Sequence, residues 1–307
     1  MAHNHSHAHH GHDHVPSNYN KAFAIGIALN VSFMAVEAVY GALAHSVALL
    51  ADAGHNLSDV LSLLLAWGAS LLSRRQPSRR YTYGLRRSSI LVALLNAILL
   101  LLAMGGITWE TLQRLSHPEP VAGGIVIGVA AVGILINTIT ALMFLSGRKQ
   151  DLNIRGAFLH MAADAGVSLG VVLAGIAIVS TGWLWFDPVV SLIIVVVVVV
   201  GTWQLLKDSL NLALDAVPEG IEPLAVQTYL TQLPDVTSVH DLHVWAMSTT
   251  ETALTAHLVM PKGYPGDAFL AQVSNQLHNH FGIEHTTLQV ETGDPNHPCT
   301  LESDSIV

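Results

Sequence analysis

Cys299 is the only cysteine among 307 residues, so no intrachain disulfide can form and a Cys-rich zinc cage is excluded. Charge is scarce too: Asp, Glu, Lys and Arg make up 11% of the chain, against about 25% in a soluble domain. An ordinary water-soluble fold is therefore excluded for most of the length. After Leu210 the only Lys or Arg is Lys262, while acids recur from Asp215 to Asp304. Such a tail repels nucleic acid and anionic lipid and attracts cations. No G-x-x-x-x-G-K-[ST] motif offers ATP coupling within this chain, and H-E-x-x-H does not occur. The opening MAHNHSHAHHGHDH is polar and does not read as a targeting peptide.

What remains is apolar, with a hydrophobic fraction of 51%. A helix needs about 20 apolar residues to cross a bilayer. Measured so, the chain offers six spans, at about 19–44, 47–72, 88–112, 121–145, 152–180 and 188–206. The sixth contains VVSLIIVVVVVV, a β-branched run whose length favours a membrane helix over a buried strand. Gly123, Gly124, Gly128 and Gly133 in the fourth span suit close helix packing in lipid. Arg74, Arg75, Arg79, Arg80, Arg86 and Arg87 lie between spans two and three, and Arg148, Lys149 and Arg155 between four and five. The opposite connections hold only Arg114, so both termini are expected in the cytoplasm.

The tail alternates helix-like EPLAVQTYLTQL, strand-like SVHDLHVWAM and TALTAHLVM, helix-like DAFLAQVSNQLHNHF and strand-like TTLQVE. That order predicts a small α+β domain. The expected organisation is a His-rich disordered segment at 1–18, an all-α six-helix transmembrane bundle at 19–208 and a cytoplasmic α+β domain at 209–307.

Ionisable groups inside lipid are costly, so each one needs a reason. Spans two and five carry the same pattern, His55-x-x-x-Asp59 and His160-x-x-x-Asp164. Residues four apart on a helix share one face. Two such faces turned together present two imidazole nitrogens and two carboxylate oxygens, a tetrahedral set suited to Zn²⁺. Asp52 falls on nearly the same face, either beside the ligands or on an ion path. Glu37 and Glu110 read as buried pairing groups or proton carriers, and Asn30, Asn96 and Asn137 as interhelical hydrogen-bonding residues.

ALLADAGHNLSD, RRYTYG, LNIRGAFLHMAAD and VHDLHVW together resemble the cation diffusion facilitator family, over the whole chain after the His-rich start. The two His/Asp pairs bring it nearest the bacterial zinc-exporting branch. The resemblance implies a homodimer with metallochaperone-like tails and zinc-for-proton exchange by alternating access. It also implies a transport site of His55, Asp59, His160 and Asp164, and tail ligands drawn from His240, His257, His285 and Glu291. Zn²⁺ would be both cargo and tail ligand. The loop 73–85 has no His, which argues against the further site some relatives keep there, and the loop between spans four and five lacks a His-rich insertion.

His243 reads as structural, packed beside Trp245, whereas His297 and Cys299 are additional soft-ligand candidates. His3, His5, His7, His9, His10, His12 and His14 form a loose metal-collecting arm. Because His and Asp bind metal only when deprotonated, zinc and protons compete for the same four groups. The expected function is export of Zn²⁺ by proton antiport, with broader efflux of Co²⁺, Ni²⁺ or Cd²⁺ as the alternative. A membrane metalloenzyme is less favoured, since four protein ligands leave no open position, and a metal sensor needs no six spans.

Overall fold

The computed structural model describes residues 17–57, 60–61, 77–145 and 152–301. The rest of the His-rich start and the later part of the second expected span lie outside these residues. The chain forms two compact units, 1–60 with 102–199, and 61–101 with 200–307.

Helices α1 (Ser17–Leu43), α4 (Gly123–Phe144) and α5 (Leu152–Thr181) belong to the first unit. So does α2, which runs over 47–57. Helices α3 (Ser88–Ser116) and α6 (Phe186–Ala213) continue from one unit into the other. Four helical stretches are long and apolar enough to cross a membrane: Ser88–Ser116, Gly123–Met143, Phe158–Thr181 and Phe186–Ala213; Ala28–Leu43 is a shorter apolar one. Large side chains such as Leu102, Leu135, Leu173 and Val200 point outward. In water this would be a liability, but a bilayer solvates them.

The core of the first unit is built from small and branched residues, among them Ala48, Leu49 and Ala51 of α2, Met104 of α3, Val126 and Ala130 of α4, Val171 of α5 and Val195 of α6. Gly123 of α4 and Gly175 of α5 meet in close contact. A Cβ on Gly175 would stand 2.8 Å from Ile127 Cγ1, and one on Gly123 3.2 Å from the Gly175 carbonyl oxygen. Gly133 is pressed on Phe33 in the same way, but Gly124 and Gly128 face open space. Of the four glycines expected to pack, two do so.

The N-terminus of α2 is held from another helix. Asp187 at the start of α6 is fully buried. Its carboxylate accepts from the Ser46 hydroxyl and from the backbone N–H groups of Val47 (2.8 Å) and Ala48 (3.4 Å). These amides belong to the first turn, which has no partners within its own helix.

Helix α6 runs to Ala213, beyond the end expected near 206, because LKDSLNLA keeps good helix formers after the apolar run stops. Within the second unit, Arg86 pairs with Glu251 at 3.0 Å and Arg87 with Asp215, while Thr249 N–H donates to Ser89 Oγ at 3.1 Å. These contacts lie inside the unit made of 61–101 and 200–307.

The tail contains α7 (Pro223–Thr231), β1 (Ser238–Ala246), β2 (Thr252–Val259), α8 (Asp267–Phe281) and β3 (His285–Glu291). The sheet order is β1-β2-β3, antiparallel between β1 and β2 and parallel between β2 and β3. Val226 and Leu230 of α7 and Val273 and Leu277 of α8 pack on Leu242, Val244, Leu254, Ala256 and Leu258 of the sheet. Helix α8 stops at Gly282, whose φ of 66° is the left-handed cap geometry glycine adopts freely.

Candidate metal centres

The first centre lies in the membrane-type unit. His55 sits on α2, and His160 and Asp164 lie one turn apart on α5. His55 Nε2 is 3.1 Å from Asp164 Oδ1, and His160 Nε2 is 3.6 Å from Asp164 Oδ2. The two imidazoles meet edge to face with centroids 6.3 Å apart. Asp164 is 2% exposed and faces both rings, one through each carboxylate oxygen. Two nitrogens and a carboxylate therefore converge from two helices, a donor set that suits Zn²⁺. Asp59 lies outside the described residues. Asp52, three residues before His55, is buried and accepts from Ser168 Oγ at 3.2 Å. Glu37 accepts from Asn56 Nδ2 at 2.9 Å, and Asn30 donates to Met161 Sδ at 3.6 Å. Glu110 is bonded to Arg114 one turn later, at 2.9 Å.

The second centre lies on the sheet face turned away from α7 and α8. Alternation along a strand sends successive side chains to opposite faces. In β2, Leu254, Ala256 and Leu258 meet the helices, which sends His257 to the other face. In β1, Val239 is in the core but so are Leu242 and Val244, which breaks strict alternation. The cause is a bulge between His240 and His243, where Asp241 takes φ 49°. It leaves His240 opposite His257. His243 is thereby turned out to water, where its Nε2 lies 3.0 Å from Asp241 Oδ1, rather than packing inward.

Around His240 and His257 gather Glu291 of β3 and Cys299 of the C-terminal segment, with one potential ligand atom from each of the four inside 4.8 Å. His257 Nδ1 is 2.9 Å from Glu291 Oε1 and 3.6 Å from Cys299 Sγ, and His240 Nε2 is 3.4 Å from Glu291 Oε2. Zn–N, Zn–O and Zn–S bonds in a tetrahedron separate the donors by about 3.3–3.8 Å, so the cluster fits one ion with little movement. A further observation supports the fit. His240 is buried, and neither ring nitrogen makes a hydrogen bond within the described structure. That is costly unless a ligand takes up the unmade bond.

Burial works to raise the Glu291 carboxyl, but hydrogen bonds from Gln289 and Cys299 and the nearby His240 and His257 together hold it below its ordinary range. At Cys299 the Leu301 backbone amide pulls the thiol down. Desolvation, the bond to Glu291 and the charges of Glu291 and Asp241 outweigh it and push the thiol up. A cation at the cluster would reverse that balance and bind the thiolate.

His285 stands at the opposite end of β3 from Glu291, roughly 20 Å away along the strand, edge-on to Tyr83. His297 is exposed and paired with Asp294 at 3.1 Å. Neither belongs to the cluster. Asp241 approaches His257 Nε2 at 3.4 Å, a contact that sequence reasoning missed. Its place depends on the bulge, which no local residue pattern announces. Cys299 did carry a signal, as the chain's single cysteine in an acidic tail.

Two family models and several named proteins match the chain. Residues 23–212 match the cation efflux transmembrane domain and residues 218–293 the cation efflux protein cytoplasmic domain. The chain is 37% identical to the zinc transporter ZitB of Escherichia coli over 294 residues, covering 95% of this chain and 93% of that protein. It is 34% identical to the cadmium, cobalt and zinc/H(+)-K(+) antiporter of Bacillus subtilis over 302 residues, covering 97% and 94%. With the metal cation efflux system protein CzcD of Cupriavidus metallidurans it shares 35% over 285 residues, covering 92% and 89%.

Proposed function

The chain belongs to the cation efflux family, and on that premise we propose that it exports Zn²⁺ from the cytoplasm in exchange for protons. It is a membrane cation efflux transporter, and relatives named as zinc transporters and as a zinc/H(+)-K(+) antiporter support the finer reading. The observation that carries it is the convergence of His55 and His160 on the two oxygens of the buried Asp164. In this reading Asp59, one turn after His55 on the second span, supplies the fourth ligand.

The exchange follows from the ligands themselves. Facing the cytoplasm, the deprotonated site binds Zn²⁺; facing a more acidic medium, its imidazoles and carboxylates take up protons and release the ion. The protonated site returns and delivers its protons inward. The chain crosses the bilayer six times with both termini cytoplasmic, acts as a homodimer in a bacterial inner membrane, and uses the acidic tail to concentrate the cation. His240, His257, Glu291 and Cys299 hold a second Zn²⁺ whose role is structural or regulatory, because four protein ligands close its coordination.

The test is zinc flux into liposomes containing the purified chain, with ΔpH imposed in either direction. Wild-type flux should follow ΔpH, and the Asp59→Ala and Asp164→Ala chains should fall to the protein-free background. Flux that persists in both variants rejects the site.

A further inference from the structure

A second pair of acids, one turn from the metal ligands, has no part in the exchange described so far. Glu37 of α1 is fully buried and Asp52 of α2 is 1% exposed; Glu37 is bonded to Asn56, which stands one turn after Asp52 on the same face of α2, and this brings the two carboxyl groups side by side. One oxygen of each has a donor: Asn56 Nδ2 serves Glu37 Oε2 at 2.9 Å, and Ser168 Oγ serves Asp52 Oδ2 at 3.2 Å. The remaining oxygens, Glu37 Oε1 and Asp52 Oδ1, have no donor among the described residues.

Ionised carboxylates only accept hydrogen bonds. Two of them side by side in a buried site leave lone pairs opposed and two charges unpaid, an arrangement of high energy. One proton between them turns one acid into a donor, satisfies both orphaned oxygens and removes one charge. The charged or titratable groups that bear on the pair are Asp164 and His55. No Lys or Arg is among them. Asp164 adds a further carboxylate to the vicinity and His55 an imidazole.

We propose that Glu37 and Asp52 share one proton and form a proton-binding site separate from the metal ligands, holding one of the protons counted in the exchange. The proposal rests on the antiport reading above. Asp52 lies about 4.5 Å nearer the start of α2 than His55. In the proposed orientation that is the non-cytoplasmic side, so an entering proton meets the pair before it meets the zinc ligands. The proton binds from that medium in one half of the cycle and leaves on the cytoplasmic side in the other. Asn56 beside His55, and Ser168 one turn after Asp164, tie the pair to both ligand-bearing helices.

Two measurements on the full chain in lipid test this. Infrared difference spectra should show the C=O stretch of a protonated, buried carboxylic acid in the wild type at neutral pH, and its loss in both Glu37→Gln and Asp52→Asn. Liposomes loaded with zinc- and pH-sensitive dyes should move one proton fewer per zinc ion in either variant. The amides mimic the protonated acids in size and donor capacity, and thermal melts identify any variant that has unfolded. The proposal is overturned if the band is absent from the wild type, if it survives in both variants, or if the proton-to-zinc ratio does not change. A wild-type chain that carries zinc with no dependence on ΔpH sinks the antiport reading instead, and with it the transport role of the pair; the infrared band alone would then decide whether the proton is shared.

Discussion

Asp164 and Cys299 are the residues on which the two centres turn. Asp164 is shared by both imidazoles. Loss of a group beside the ligands costs about 10–100-fold in metal affinity, and loss of Asp164, a ligand in the proposed site, should exceed that. Isothermal titration of Asp164→Asn with Zn²⁺, read beside wild type, measures it. Cys299 supplies the one soft donor of the tail cluster. With Co²⁺ in place of Zn²⁺, the full chain should show thiolate-to-metal charge-transfer absorption that Cys299→Ser abolishes. His285→Ala should leave that absorption intact, since its ring is engaged with Tyr83 far from the cluster. An unchanged spectrum in Cys299→Ser would remove the thiol from the site.

Among whole elements, α2 is held at its first turn by another helix. Asp187 caps its first turn from α6 and thereby sets the height at which α2 presents His55 to α5. Asp187→Ala strips the cap and leaves buried amides unpaired, a loss of about 1–3 kcal/mol. It should lower the thermal midpoint and also weaken zinc binding, because the ligand helix loses its anchor. The α4–α5 seam makes a second test. Gly175→Ala forces a methyl against Ile127 and should destabilise by about 1–3 kcal/mol, whereas Gly128→Ala points into open space and should change the melt little. In the tail, the bulge at Asp241 is what places His240 and His257 on one face.

For the molecule as a whole, the proposed exchange and the tail cluster would give pH two separate routes of action. In the metal-free tail, Glu291 has a folded-state pKa held below its unfolded value. Its ionised form therefore contributes stability that is complete above the ordinary glutamate range and is lost as pH falls through the depressed value. Acid titration followed by tryptophan fluorescence should show the tail weakening across that window, with Glu291→Gln flattening the dependence. Transport should respond instead to the difference in pH across the membrane.

Much of this was legible in the chain. Apolar runs locate membrane helices because lipid tolerates nothing else at that length, and the tail's order of helix and strand follows from its alternating patterns. The His160-x-x-x-Asp164 spacing put both groups on one face of α5, because positions four apart on a helix lie about one turn apart. Local spacing could not say which side chains from distant segments meet. That Asp164 takes both imidazoles, that Cys299 and not His285 joins the tail cluster, that Gly175 and not Gly128 closes a seam, and that Asp187 caps α2 were all decided by tertiary packing. The reason is that donor atoms are brought together by how helices and strands are stacked and where a strand bulges, and those depend on contacts between residues remote in the chain.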